Sequence, residues 1–198
     1  MPKFRRKRKG FWFIHIPKTG GTSIETWLNQ HCKMSFHTPL VPSFLRCTPQ
    51  HFTAETIRIL DPHQNFNGFT IVRDPYERAE SEYFYRTQGI PRHLKPVFSL
   101  WLTQNLNVAE QNAHHLDNHL TPQSYFLDEA LKIFRFEDGF EQIVNQIADL
   151  YDVPLPEKIP HDNKSAKRSL HWSVELLDKF NKFYNIDFEK LNYTKREP

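Results

Sequence analysis

The stretch that decides the fold is FWFIHIPKTGGTSIETWL, residues 11–28. Its first six residues form an aromatic and β-branched apolar run that stops at Pro17, which reads as a buried strand. The apolar period then changes: Ile24, Trp27, Leu28 and His31 recur at i, i+3, i+4 and i+7, one face of a helix. Between the two lie Lys18, two glycines and several hydroxyl residues. A strand that turns through Gly20 and Gly21 into a helix leaves backbone N–H groups unpaired, at the end where the helix dipole favours an anion. Glycine lets the backbone approach a ligand closely, Thr19, Thr22 and Ser23 add hydroxyl donors, and Lys18 adds a point charge. The turn is a candidate phosphate or sulfate site. In the Walker A pattern GxxxxGK[ST] the lysine follows the glycines, whereas in PKTGGTS it precedes them. A nucleotide triphosphatase loop is therefore not expected.

Two further apolar runs, FTIVR (69–73) and LKIFRF (131–136), read as strands. Helical stripes alternate with them, one through Tyr76, Ala79, Tyr83 and Phe84 and another through Phe140, Ile143, Val144, Ile147 and Ala148. Strands separated by helices need crossover connections, so the expected class is α/β, with a central parallel sheet flanked by helices in three layers like a P-loop protein. TSIE (22–25) and DPYE (74–77) both look like capping boxes, with Pro75 in a first helical turn. The Pro-rich and polar segment 153–169 reads as a surface loop, and a last helix is expected from about Ser173.

Six of the first ten residues are Lys or Arg, so the formal charge of +3 hides a body carrying 20 basic and 23 acidic residues. Residues 1–10 are expected to be a disordered basic tail and 11–198 a single domain. No basic stripe or base-reading module elsewhere suggests nucleic acid. No apolar run is long enough to span a membrane or form a signal-peptide core, so a soluble, cytoplasmic protein is expected. Cys32 and Cys47 fit no zinc spacing and are expected to be buried thiols, with a single disulfide as the alternative.

HIPKTGGTS resembles the 5′-phosphosulfate loop of sulfotransferases that use 3′-phosphoadenosine 5′-phosphosulfate (PAPS), particularly carbohydrate sulfotransferases and their bacterial relatives. FTIVRDPYERAESEYF (69–84) resembles the family's 3′-phosphate motif, in the right order and again ending a strand. The resemblance implies sulfuryl transfer from PAPS to a carbohydrate hydroxyl on an oligosaccharide, polysaccharide or glycolipid, leaving adenosine 3′,5′-bisphosphate and needing no metal. It implies that Lys18, with the turn 19–23, holds the phosphosulfate, and that Arg73 and Ser81 hold the 3′-phosphate; an arginine at a strand's carboxyl edge suits that task. CTPQHFTAETI (47–57) is similar to the segment where heparan sulfate enzymes carry a catalytic histidine, which makes His51 the candidate base. HLTPQSYFL (119–127) is similar to an H-x-x-P-Q block, making His119 and Gln123 candidates for the acceptor groove, with His119 the rival base. HDNKSAKRS resembles a C-terminal loop whose Ser165, Lys167 and Arg168 would cover the phosphates.

Several residues have blander expectations. His15 reads as a satisfied strand histidine, Glu25 as a helix cap with general-base work as its alternative, and Arg78 as a structural partner or a cofactor contact. His115 and His119, four apart, could share a helix face around a metal, but no third ligand stands out. Phe98 and Trp101 read as helix packing rather than a sugar platform. Two other functions stay open: an ATP-dependent phosphoryl transferase on the same loop, which lacks an evident Walker B acid, and a nucleotide-binding module without turnover.

Overall fold

In a computed structural model that describes residues 1–38, 40–60, 67–158 and 170–197, the three apolar runs form parallel neighbours. β2 (Lys9–Ile14) pairs with β4 (Gly68–Val72), which pairs with β5 (Leu131–Arg135). β4 lies between the other two and all five of its residues are buried, which is why its sequence does not alternate, and its one polar side chain, Thr70, donates to the Ile14 carbonyl at 2.8 Å. β2 ends at Ile14, so His15 and Ile16 already belong to the turn that the sequence pattern placed them before.

The sheet is mixed rather than wholly parallel. Its order is β3-β1-β2-β4-β5, with β1 (Lys3–Arg6) antiparallel to both β2 and β3 (Lys33–Ser35). The basic segment expected to be a disordered tail is therefore a hairpin arm. Its register puts Phe4 opposite Phe11, and both face the core, while Lys3 and Arg5 point to the other side. Met1 and Phe4 are fully buried, so two apolar residues anchor a strand whose charges alone suggested a tail.

Contacts divide the chain into two compact units. The first comprises Met1–Arg73 and Tyr125–Lys164, the second Asp74–Ser124 and Ser165–Pro198. The first unit holds the sheet, α1 (Gly21–His31), α2 (Ala54–Leu60) and α5 (Phe140–Tyr151). Ile24, Trp27 and Leu28 of α1 and Ile143, Val144 and Ile147 of α5 bury against Phe11, Phe13 and Phe69, which realises both helical stripes. Tyr151 stacks on Phe11 with centroids 4.0 Å apart, and the Trp27 indole donates to the Pro154 carbonyl at 2.9 Å.

The second unit is helical: α3 (Pro75–Arg86), α4 (Phe98–Gln111), α6 (Val174–Phe183, capped by Ser173 as expected) and α7 (Asn185–Leu191). Its core is aromatic, with Tyr76, Phe180, Tyr184 and Phe188 buried together. Phe98 packs edge-on against Tyr83 and Trp172, which supports the packing reading of that helix. Cys32 and Cys47 are both buried thiols. Among the described residues no helix is long and apolar enough to cross a membrane.

Candidate functional site

The turn after β2 is built around two left-handed residues, Lys18 at φ 69° and Gly20 at φ 84°. Gly20 is the N-cap of α1, no side chain caps the helix, and its first turn contains no acid. The opening amides of α1 therefore have neither an intrahelical acceptor nor a carboxylate competing for them, which suits an anion from outside. A side chain at Gly20 would also meet the rings of Phe136 and Phe140 at 3.1 Å. At Gly21 the constraint is space: a Cβ would lie 2.4 Å from Nε2 of His15. The two glycines thus let the helix start pack directly on three rings.

The flanking side chains divide their tasks. Lys18 is half-buried and Thr22 is exposed at the helix start. Thr19 corrects the expectation of a hydroxyl donor, because its side chain is fully buried and donates to the Ile16 carbonyl at 2.8 Å; only its backbone N–H is left for a ligand. Ser23 is buried in the first turn. TSIE is not a capping box either, since the cap position belongs to Gly20 and Glu25 faces inward.

Glu25 instead holds a buried network. Its Oε1 lies 2.6 Å from Nδ1 of His15, and its Oε2 accepts from the Gln50 amide at 2.7 Å. His37 approaches the second oxygen at 3.5 Å. Burial alone would raise the Glu25 pKa, but attraction and hydrogen bonding from His15, with smaller help from His37 and Gln50, bring it below the usual carboxylate range. His15 is satisfied, as expected, though beside the turn rather than within the strand. His51 ends a short 3₁₀ turn (Pro49–His51), is buried, and lies 3.3 Å from the Thr48 hydroxyl. Its ring meets that of His15 edge to face at 5.2 Å, which brings the candidate base to the ring that floors the anion turn.

Arg73 follows β4 directly. Its guanidinium lies over the Phe136 ring at 4.4 Å, and Nη1 donates to the Lys18 carbonyl at 3.4 Å, so one arginine braces the turn that carries the lysine. Phe136 therefore contacts both Gly20 and Arg73. The next residue, Asp74, caps α3 by accepting from the Glu77 amide at 2.9 Å, as DPYE implies, with Pro75 in the first turn.

The remaining candidates belong to the second unit. Ser81 is half-buried on α3. Arg78 is almost fully buried and donates to the carbonyls of His119 and Thr121 at 2.7 and 3.0 Å, a structural role with carbonyl partners. His119 Nδ1 lies 2.7 Å from Oε2 of Glu82, whose other oxygen accepts from Arg86 at 2.7 Å. Burial would raise the Glu82 pKa, yet His119 and Arg86 lower it from 4.5 to about 2. His115 turns to Asn105 at 2.7 Å instead, so the two histidines weighed as a metal pair take separate partners. Gln123, a groove candidate, is fully buried; its backbone N–H and that of Ser124 each donate to the Asp187 carboxylate at 2.8 Å. Ser165, Lys167 and Arg168 lie outside the described residues.

Sequence reasoning missed Glu82, Gln50, Phe136 and Asp187. Glu82 and Arg86 had one available signal, the i, i+4 spacing of opposite charges on one helix. Gln50 and Asp187 had none, because their partners lie 25 to 64 residues away.

A mixed sheet with a parallel core, its β2 strand followed by an uncapped, lysine-bearing turn braced by arginine, defines an α/β protein of the P-loop-like class. A family model described as the sulfotransferase family matches residues 3–194, and the chain belongs to that family. It is accordingly a transferase of sulfur-containing groups. No curated protein and no solved structure matches it.

Proposed function

We propose that the protein transfers a sulfuryl group from PAPS to a carbohydrate hydroxyl. The observation that carries this reading is the turn 18–23, with its uncapped helix start, its lysine and its brace from Arg73. Lys18 and the amides of the turn stabilise charge on the transferring group and the departing phosphate. Arg73, with Ser81 from the same motif, holds the 3′-phosphate that distinguishes PAPS from AMP. His51 takes the acceptor proton as the acceptor oxygen bonds to sulfur and the bond from sulfur to the bridging oxygen breaks, releasing adenosine 3′,5′-bisphosphate. His119, oriented by Glu82, belongs to acceptor handling in this scheme. No step requires a metal. The two buried thiols suit a reducing cytoplasm.

The test is transfer of labelled sulfuryl from PAPS to a panel of oligosaccharides, polysaccharides and glycolipids. The reading expects at least one labelled acceptor, with rates lowered by about 10² or more in Lys18→Ala and in His51→Ala. Absence of transfer to every acceptor class, or phosphoryl transfer from ATP in its place, would overturn it.

A further inference from the structure

The carboxylate of Glu25 is buried in the cluster of His15, His37, Gln50 and His51, and neither capping nor the scheme above uses it. We propose that Glu25 is a positioning residue for both halves of the reaction: through His15 it sets the anion turn, and through Gln50 it sets the turn that carries His51. The proposal rests on the sulfotransferase reading for its consequences in catalysis and on the geometry alone for the coupling.

The two oxygens are committed to different elements. One fixes Nδ1 of His15, which turns the opposite ring nitrogen toward Gly21, where a methyl group would have to sit within 2.4 Å of it. The ring therefore sets how closely the start of α1 can approach, and so where its outward amides lie. The other oxygen takes the amide of Gln50, the residue before His51 in the 3₁₀ turn, and that amide also lies 3.0 Å from His15 Nδ1. His15 and His51 are in ring contact as well. The donor-holding turn and the candidate base thus share one buried anchor, with one hydrogen bond to each carboxylate oxygen.

An ionised carboxylate so deeply buried is tolerated only when paired. Glu25 has its partners, and its pKa stays below the ordinary carboxylate range despite burial. Among the described residues of the first unit, the titratable groups of the cluster are Glu25 itself, His15, His37 and His51, so a change of charge at position 25 is felt by the histidines beside it. Substitution at position 25 should therefore disturb donor affinity and the proton transfer together, although the side chain touches neither reactant.

The experiment compares wild type with Glu25→Gln, Glu25→Ala, His15→Ala and the double variant Glu25→Ala/His15→Ala. Adenosine 3′,5′-bisphosphate affinity is read by calorimetry, and the transfer rate is followed between about pH 6 and 9. Melting curves identify any variant that fails to fold, and Glu25→Gln, which keeps the shape of the side chain, then carries the test. Glu25→Ala should weaken the bisphosphate by about tenfold or more and displace the pH midpoint of the rate, while the double variant binds no more weakly than His15→Ala. Affinity within about twofold of wild type and an unmoved midpoint would overturn the proposal, as would additive effects of the two substitutions.

Failure of the functional reading is separable from failure of this one. If the wild type binds no bisphosphate, the imidazole nitrogen resonances of His15 and His51 are followed during titration with inorganic sulfate. Coupled shifts that vanish in Glu25→Gln support the positioning role, and shifts unchanged by the substitution refute it.

Discussion

Replacing Gly21 with alanine tests the packing of the anion turn most sharply. The new Cβ would lie 2.4, 2.5 and 2.7 Å from three atoms of the His15 ring. That ring cannot swing away freely, because Nδ1 is held at 2.6 Å by Glu25 and the opposite ring edge meets no open space. Overpacking of this kind costs about 1–3 kcal/mol. Alanine at a helical position returns up to about 1 kcal/mol relative to glycine, so the clash wins by roughly 1–2 kcal/mol. For a chain of this size each kcal/mol moves the melting temperature by about 2–4 °C, giving an expected fall of about 2–8 °C. Gly10→Ala is the control, since its Cβ would find the Phe4 carbonyl at an ordinary 3.7 Å, and it should change the melting temperature by less than about 2 °C. Removing the obstacle should remove the penalty, so Gly21→Ala added to His15→Ala should lower melting no further than His15→Ala alone. Sulfate or bisphosphate affinity should fall with Gly21→Ala by up to about 10², because misplacing a preorganised group by about 1 Å costs that much. A Gly21→Ala protein that melts within about 1 °C of wild type, with unchanged affinity, would show that the ring does not set the turn.

Further consequences follow from other contacts. Phe4→Ala should destabilise by about 3–5 kcal/mol in urea titration, as a core residue does and a tail residue does not. Glu82 has a native pKa depressed from 4.5 to about 2, so its stabilisation is complete above pH 4.5 and is lost as pH falls through about 2. That stabilisation is about 3 kcal/mol, and urea midpoints should fall less steeply on acidification in Glu82→Gln than in wild type. Asp187→Asn leaves one of two buried backbone donors poorly served and should cost about 1–3 kcal/mol, read by melting. Arg73→Lys should not restore the affinity lost in Arg73→Ala, because a lysine cannot both stack on Phe136 and reach the Lys18 carbonyl with a planar fork.

The parts of the fold visible in the sequence are those in which burial imposes its own period. β4 is buried on both faces and reads as FTIV without interruption, and α5 shows its stripe from Phe140 to Ala148 because only one side meets the sheet. β1 was hidden by its outward residues: Lys3 and Arg5 face away from the core and Arg6 reaches the His31 and Asp152 carbonyls, so only Phe4 reports the strand. β3, with three residues, is too short to show a period. At the candidate site, the strand-to-helix turns that carry Lys18, Gly20, Gly21 and Arg73 could be recognised because a strand, a turn and a helix start lie next to each other in the chain. Glu25 could not, because TSIE satisfies the local capping rule equally well and only the folded chain brings His15 and Gln50 to its carboxylate. Thr19 misled for a related reason, since a hydroxyl beside an anion turn can face the ligand or the backbone, and here it faces the Ile16 carbonyl.

The central claim is that the turn and Arg73 together hold a nucleotide bearing phosphates at both the 3′ and 5′ positions. Calorimetric titration with adenosine 3′,5′-bisphosphate, AMP and ATP with Mg²⁺, on wild type and Arg73→Ala, tests it directly. The account predicts metal-independent binding of the bisphosphate at least about tenfold tighter than AMP, a difference of about 1.4 kcal/mol or more, with the preference lost in Arg73→Ala. Binding that favours ATP with Mg²⁺, or no binding of the bisphosphate at all, would contradict it.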